Sequence, residues 1–269
     1  MNVLKAKVLA ALVSLLAGAA MSPANCEVLQ GGVNHADYLP SLRNSPYAYA
    51  DSPVGALQGQ AGRQAQRMVE WFKIPSWMAG TWSKQGDMTI NAVDLRTGQG
   101  RTINQWTDNR MTVAFGHQID RSGTIWQANI LPSETDSVSG GKSVRFLAVQ
   151  RKCESYSPTG LITRTHYIIT EPYGNQMAEE FQQESINRYS ALSSGELLNR
   201  SSNRVFSYQG QAVQDGNLES RFHKIADFRP VANLDGVDLN ATFASFLQAI
   251  GRPDLIPGAP PVSSQSAQQ

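Results

Sequence analysis

Residues 80–92, with the sequence GTWSKQGDMTINA, decide the fold because their apolar side chains recur at alternate positions. One parity carries Trp82, Met88, Ile90 and Ala92. The opposite parity carries Ser83, Gln85, Asp87, Thr89 and Asn91. Successive side chains point to opposite faces of a β-strand, so the pattern predicts a strand with one apolar face and one wet face. Lys84 and Gly86 interrupt the apolar parity and indicate a bend near the start.

Similar patterns continue toward the C-terminus and predict a series of short strands. Segments of strand length are Arg101–Trp106, Met111–Ile119, Thr124–Ile130, Ser143–Arg151, Leu161–Thr170, Met177–Ser190, Glu196–Val205, Phe206–Val213 and Ser220–Phe228. Turns containing glycine separate many of them, at 97–100, 121–123, 157–160, 193–195 and 215–217. Every consecutive pair can form a hairpin, and closure removes exposed edges. The sequence therefore predicts an all-β protein, a closed antiparallel up-and-down β-barrel of 8–10 strands, with a β-sandwich as the alternative.

A helix is predicted on each side of this barrel. Ala61, Ala65, Met68, Val69 and Phe72 recur at helical steps, which predicts a helix over residues 58–74 that Pro75 stops. After the barrel, a second apolar stripe predicts a helix capped by Asp238 or Asn240. Its members are Leu239, Phe243, Phe246, Leu247 and Ile250. The barrel with its C-terminal helix then spans residues 75–251, and residues 252–269 are expected to be a disordered tail.

The N-terminus has the features of an export signal. Lys5 and Lys7 precede an apolar run and a zone of small residues, which predicts a signal peptide over residues 1–24. The run is shorter than the roughly 20 residues that a membrane span needs, and no later segment is longer, so the mature chain is expected to lack a transmembrane segment. We therefore expect export to the periplasm or the extracellular space. After the signal peptide, residues 25–57 are expected to form an extended arm.

Export also bears on the two cysteines and on partners. Cys26 and Cys153 are the only cysteines, and in an oxidising compartment they are candidates for a disulfide. The arm offers a possible contact for a protein partner through residues 27–56. Net charge is +1 without a basic stripe, which argues against a nucleic-acid partner.

The stretch from Pro75 to Trp82 resembles the opening of lipocalins and the wider calycin group. In those families a Gly-x-Trp begins the first barrel strand and the tryptophan closes the barrel floor; here the motif is Gly80-Thr81-Trp82. The resemblance also implies a helix after the last strand. It implies an arginine packed over the tryptophan, for which Arg204, Arg221 and Arg229 all qualify. The Thr-Asp pair of a central loop occurs only as Thr107-Asp108, earlier in the chain than in those families.

The apolar parity and the resemblance together predict a pocket for a small, mostly apolar ligand. The predicted ligand-binding residues are Trp82, Met88, Ile90, Val113, Phe115, His117 and Trp126. A barrel of eight strands is just wide enough to be filled by side chains or to hold one small molecule, so a packed core is the alternative. His117 shares the parity of Phe115 and is expected to point inward, where it either orients a ligand or bonds a neighbouring group.

Catalysis and metal binding have weaker support in the sequence. No metal-ligand spacing, Gly-x-Ser-x-Gly nucleophile motif or phosphate-binding glycine loop is present, so neither a cofactor nor a metal nor a catalytic residue is predicted. Glu180, Gln182, Glu184 and Arg188 share one strand face. Such a face is either solvated or a polar barrel interior that positions an acid–base group. An envelope interaction protein with a filled barrel and an isomerase or cyclase are the alternative functions.

Overall fold

The computed structural model describes residues 34–45, 68–139, 142–173 and 176–258. These residues form antiparallel strands and one α-helix. The strands are β1 (Met68–Ile74), β2 (Gly80–Asp94), β3 (Gln99–Phe115), β4 (Gln118–Ile119), β5 (Ile125–Leu131), β6 (Ser133–Ser139), β7 (Lys142–Ser157), β8 (Gly160–Tyr173), β9 (Gln176–Ser193), β10 (Glu196–Phe206), β11 (Ala212–Asp227), β12 (Asn233–Leu234) and β13 (Val237–Asp238). The predicted signal peptide over residues 1–24, Cys26 and residues 259–269 lie outside the described residues.

Eight strands form one strongly curled sheet, in the order β3-β2-β11-β10-β9-β8-β7-β6. The first hairpin, β2-β3, pairs with the last long strand, β11, as in an up-and-down barrel. The prediction of a closed barrel was wrong, because the sheet is a half-barrel with β3 and β6 as its edges. The chain between these two strands forms β4 and β5, and β5 pairs with both β1 and β4 in a second, three-stranded sheet instead of closing the first.

The predicted helix before the barrel was also wrong where the structure describes it. Met68–Ile74 form strand β1, paired antiparallel with β5 from Met68 opposite Leu131 to Ile74 opposite Ile125. Trp71 packs on one side of the small sheet and Ile74 on the other. Apolar residues on both faces of a strand can imitate helical spacing over seven positions, and pairing with β5 overrides it. Residues 58–67 lie outside the described part of the chain.

The C-terminal helix α1 spans Leu239–Ala249 and confirms the second helix prediction. The side chain of Asp238 accepts a hydrogen bond from the Ala241 N–H, as an N-cap does. Gly251 follows the helix with φ 73°, a left-handed conformation that favours glycine at this position. The apolar stripe of α1 packs on the small sheet against Trp71 and Trp126. Of the described residues, no helix combines the length and the apolar character needed to cross a membrane.

The large sheet has two faces with different neighbours. Its inner face carries an apolar cluster of Trp82, Leu161, Leu197 and Phe222, covered by Ile74 and Ile125 of the small sheet together with Met78. Its outer face is open to solvent around β2 and β3, where Trp106 is half exposed. Around β7–β10 the outer face is covered by residues 34–45, a part of the predicted extended arm. From here on, the arm means residues 34–45. Leu42 of the arm packs against Leu147 and Ile168 of that face.

Candidate functional site

The predicted pocket residues separate into three places. Trp82, Val113 and Phe115 share the apolar cluster of the inner face, and the Trp82 Nε1–H donates to the Met78 carbonyl at 2.8 Å. Met88 instead lies in register with the exposed Trp106, which places it on the outer face. The register of β2 shifts between Lys84 and Gly86 and again between Thr89 and Asn91, so the parity that begins at Trp82 does not persist. Ile90, half-buried, lies at the second shift.

His117 and Trp126 lie outside the large sheet. Trp126 belongs to the cluster beneath α1, and its Nε1–H donates to Asp120 at 2.9 Å. His117 is buried, and its Nδ1 accepts a hydrogen bond from the Ala128 N–H at 3.0 Å. Burial lowers the pKa of His117, so the ring is neutral at neutral pH. This histidine therefore bonds a neighbouring backbone group and does not line a space shared with Trp82.

The inner face beyond the apolar cluster is polar and closes on itself. The Asp87 carboxylate accepts hydrogen bonds from Lys84, from Ser220 and, at 2.6 Å, from Asn109. The side chains of Lys84 and Asp87 are only 8% and 10% exposed, which is the condition under which an ion pair must be fully bonded. Asp87 was predicted on the wet face of its strand; the register shift turns it to the buried side.

A second set of inner polar groups lies on β9 and β10. The Asn203 side-chain oxygen accepts bonds from Gln183, Ser185 and Ser201. Asn199 is buried and donates to Asn187 at 3.0 Å, whereas its Oδ1 has no hydrogen-bond partner in the described structure. The inner face is thus occupied by short polar side chains that mostly satisfy one another.

A cavity of about 400 Å³ lies at the outer face, between the arm and strands β7–β9. Its lining residues are Pro40, Ser41, Leu42, Ser45, Met68, Glu70, Leu131, Val149, Gln150, His166, Ile168 and Gln182. Gln182 donates to the Pro40 carbonyl at 2.9 Å, so the side-chain oxygen of Gln182 is left to accept from His166 Nε2–H, also at 2.9 Å. Burial lowers the pKa of His166, which keeps the ring neutral and leaves Nδ1 as an acceptor.

Beside this cavity, the arm bonds to the sheet through a buried carboxylate. Glu184 is in register with His166 on β8 and with Arg204 on β10. Its Oε2 lies 2.8 Å from His35 Nδ1, and its Oε1 lies 2.7 Å from Arg164 Nη1. On the far side of the imidazole, His35 Nε2 lies 2.9 Å from Ser202 Oγ. The side chains of His35 and Glu184 are 8% and 6% exposed.

The charge of Glu184 is fixed by these partners. Burial alone raises the pKa of this carboxyl, but bonds from His35, Arg164 and the Ala36 N–H outweigh it and lower the pKa to about 2. Glu184 is therefore ionised at any pH near neutrality. The sequence predicted that this face of the strand is either exposed to solvent or directed into a barrel interior. The structure shows neither at Glu184, because the face lies on the outer side of the sheet and is buried under the arm.

Cys153 is a free, half-buried thiol against the inner apolar cluster, and burial raises its pKa. The structure therefore gives no support to its predicted disulfide with Cys26. Among the described residues, no group of three or more His, Cys, Asp or Glu could hold a metal ion.

No protein-family model, curated protein or solved structure matches this chain. The half-barrel itself is compatible with a calycin-like fold.

Sequence reasoning missed the role of His35 and Ser202. They are 167 residues apart in the sequence, and no local motif predicts that their side chains make contact. The available signal was the run of charged residues on β9, which marked the face that Glu184 shares with Gln182.

Proposed function

We propose that this protein binds a small, mostly apolar molecule in the cavity between the arm and strands β7–β9, as an exported calycin-like binding protein. The observation that carries the proposal is the composition of the cavity walls. Leu42, Leu131, Val149 and Ile168 supply apolar surface, and His166 supplies a neutral polar group. A volume of about 400 Å³ lies within the usual range for small-molecule sites, which combine apolar walls with a few polar groups.

The polar end of the cavity suggests what the ligand carries. With Nε2 bonded to Gln182, His166 offers a lone pair at Nδ1. A hydroxyl or an amide N–H of the ligand would satisfy this acceptor, whereas a ligand carboxylate would share the cavity with the carboxylate of Glu70, another lining residue. The favoured ligand is therefore an uncharged molecule with one hydrogen-bond donor on an apolar body.

The test is displacement of an apolar fluorescent dye by retinol, a fatty alcohol, a fatty acid, a quinone and a tetrapyrrole. Met68→Glu places a charge on the cavity wall at a residue that is 59% exposed, so folding is retained. We expect the affinity of the bound compound to fall about tenfold or more, because a carboxylate is costly beside an apolar ligand. Met111→Glu is the matched control, since Met111 is 40% exposed and lies on β3, away from the cavity.

Two results would contradict the proposal: no displacement by any compound, or equal loss of affinity in both methionine variants. Native mass spectrometry of the exported protein gives an independent measurement, because a retained ligand adds its mass to that of the chain.

A filled-barrel interaction protein is the second candidate function, and the inner face favours it. The polar groups around Asp87 bond one another there, as do those around Asn203, and Trp82 lies in a buried apolar cluster. In that case the half-barrel is a scaffold, and the dye experiment gives no displacement.

A further inference from the structure

Ser202, His35 and Glu184 form a hydrogen-bonded chain in which a hydroxyl, an imidazole and a carboxylate follow one another. Ser202 Oγ lies 2.9 Å from His35 Nε2, and His35 Nδ1 lies 2.8 Å from Glu184 Oε2. We propose that these three residues form an acyl-transfer site, with Ser202 as the nucleophile, His35 as the general base and Glu184 as the positioning residue. The same order of groups activates serine in unrelated hydrolases, and it is recognised by geometry and not by position in the sequence.

The proton positions follow from the partners. An ionised carboxylate only accepts hydrogen bonds, so Nδ1 of His35 must carry the hydrogen that points to Glu184. In the neutral ring, Nε2 then has a free lone pair, and the Ser202 hydroxyl donates to it. This is the tautomer that a base needs in order to remove the serine proton.

Glu184 is held in place from three directions. Arg164 bonds one oxygen, while the Ala36 N–H, at 3.0 Å, and His35 share the other. Arg164 also donates to the Asn34 carbonyl at 2.9 Å, so the backbone on the N-terminal side of His35 is tied to the same group. On the C-terminal side, Arg204 donates to the Ala36 carbonyl at 3.1 Å. An imidazole fixed in this manner loses little entropy when it acts as a base.

The neighbouring side chains indicate the substrate class. Glu184 is opposite His166, a wall of the apolar cavity, and Gln182 and Pro40 line the same cavity. An ester with an apolar acyl chain would place that chain in the cavity and its carbonyl toward Ser202. Arg204, two residues along β10 on the same face, is bonded to both oxygens of Asp215 at 2.7 Å and to the Ala36 carbonyl, so it holds the arm in place beside Ser202.

The reaction is balanced without a cofactor. Ser202 Oγ forms a bond to the acyl carbon while its proton passes to His35 Nε2. The bond from the acyl carbon to the alcohol oxygen then breaks, and the His35 proton goes to the departing alcohol. Water attacks the acyl-serine with the same proton transfers, which releases the carboxylic acid and restores the hydroxyl.

The competing explanation is that these bonds only anchor the arm to the sheet. The experiment therefore uses a readout that anchoring does not produce. The full-length protein is treated with a fluorophosphonate probe, the modified peptide is identified by mass spectrometry, and hydrolysis of p-nitrophenyl butyrate is measured in parallel. We expect an adduct on Ser202 and a fall in hydrolysis of about 100-fold or more in Ser202→Ala and in His35→Gln.

Ser83→Ala is the matched control, because Ser83 is also half-buried and lies on the outer face of β2, in register with His223. It should leave labelling and hydrolysis unchanged. Ser202→Ala removes only a hydroxyl, and its melting temperature reports whether the fold is kept. The proposal is overturned if folded protein gives no adduct on Ser202, if the adduct forms equally in His35→Gln, or if Ser202→Ala hydrolyses the ester as fast as wild type. These outcomes do not depend on dye binding, so the ligand proposal and the acyl-transfer proposal can fail separately.

Discussion

The inner and the outer face of the large sheet each bury a side-chain carboxylate, but they hold it in different ways. Asp87 is bonded by Lys84 of its own strand and by Ser220 and Asn109 of the two neighbouring strands, all within the same sheet. Glu184 is bonded by Arg164 of an adjacent strand and by His35 and Ala36 of the arm, about 150 residues away. The exposure of the side chains is similar in the two places. Lys84 and Asp87 are 8% and 10% exposed. His35 and Glu184 are 8% and 6% exposed.

This difference separates a structural network from one that can perform chemistry. The groups around Asp87 bond one another, and the Ser220 hydroxyl there donates to a carboxylate and not to an imidazole. Around Glu184, a histidine is aligned with a half-buried serine, and the apolar cavity is adjacent. Burial of a charge alone therefore does not identify a functional site in this molecule. The distinguishing feature is whether the buried carboxylate bonds an imidazole that also contacts a hydroxyl.

The largest effect is expected from breaking the inner network. Asp87→Ala leaves the Lys84 ammonium buried without its partner, which should lower the free energy of unfolding by about 3–5 kcal/mol. Urea denaturation measures this change. Arg200→Ala removes the exposed partner of Glu219 and should cost less than about 1 kcal/mol. A loss in Asp87→Ala no greater than that in Arg200→Ala would show that the Lys84–Asp87 pair does not stabilise the fold.

The pH dependence of stability tests the outer network. The pKa of Glu184 is lowered from 4.5 to about 2 on folding, so its contribution is complete above about pH 4.5 and is lost as the pH falls toward 2. Between pH 6 and pH 3 the free energy of unfolding should fall by up to about 2 kcal/mol more in wild type than in Glu184→Gln. Equal pH slopes in the two proteins would contradict this assignment.

The smallest effect is expected on the uncovered part of the outer face. Trp106 is 50% exposed on β3, and its Nε1–H donates to Asp108 at 2.8 Å. Trp106→Phe should change the free energy of unfolding by less than about 1 kcal/mol, because most of the aromatic area is kept and the lost hydrogen bond to Asp108 is exposed. Thermal denaturation checks this. A loss of several kcal/mol would mean that the outer face near β2 and β3 is covered as it is near the arm.

Local patterns predicted the hairpins and the last helix well. Gly98 and Gly123, in two of the predicted turns, have φ values of 70° and 87°, and Asp238 caps α1 as expected. The predicted turn at 215–217 instead lies within β11, because pairing with β10 on one side and β2 on the other continues through it. Long-range pairing overrides a short glycine signal in such a case.

The candidate site could not be predicted for a different physical reason. Parity counting from Trp82 assumes an uninterrupted strand, and two register shifts in β2 move Met88 to the other face. The contact of His35 with Glu184 and Ser202 depends on where the arm crosses the sheet, which no local spacing encodes. The sequence thus predicted the type of architecture, whereas the arrangement of its polar groups required the three-dimensional structure.

The gap between β3 and β6 has a consequence for self-association. A sheet edge offers unpaired backbone groups to any strand that approaches, including one from another copy of the chain. Along β3 this is opposed by the exposed charged side chains of Arg101, Asp108 and Arg110. Asn104, in the same strand, has φ 49°, a left-handed kink that interrupts a straight edge. Although β3 and β6 are not paired with each other, the β3 edge is therefore a poor template for an intermolecular β-sheet.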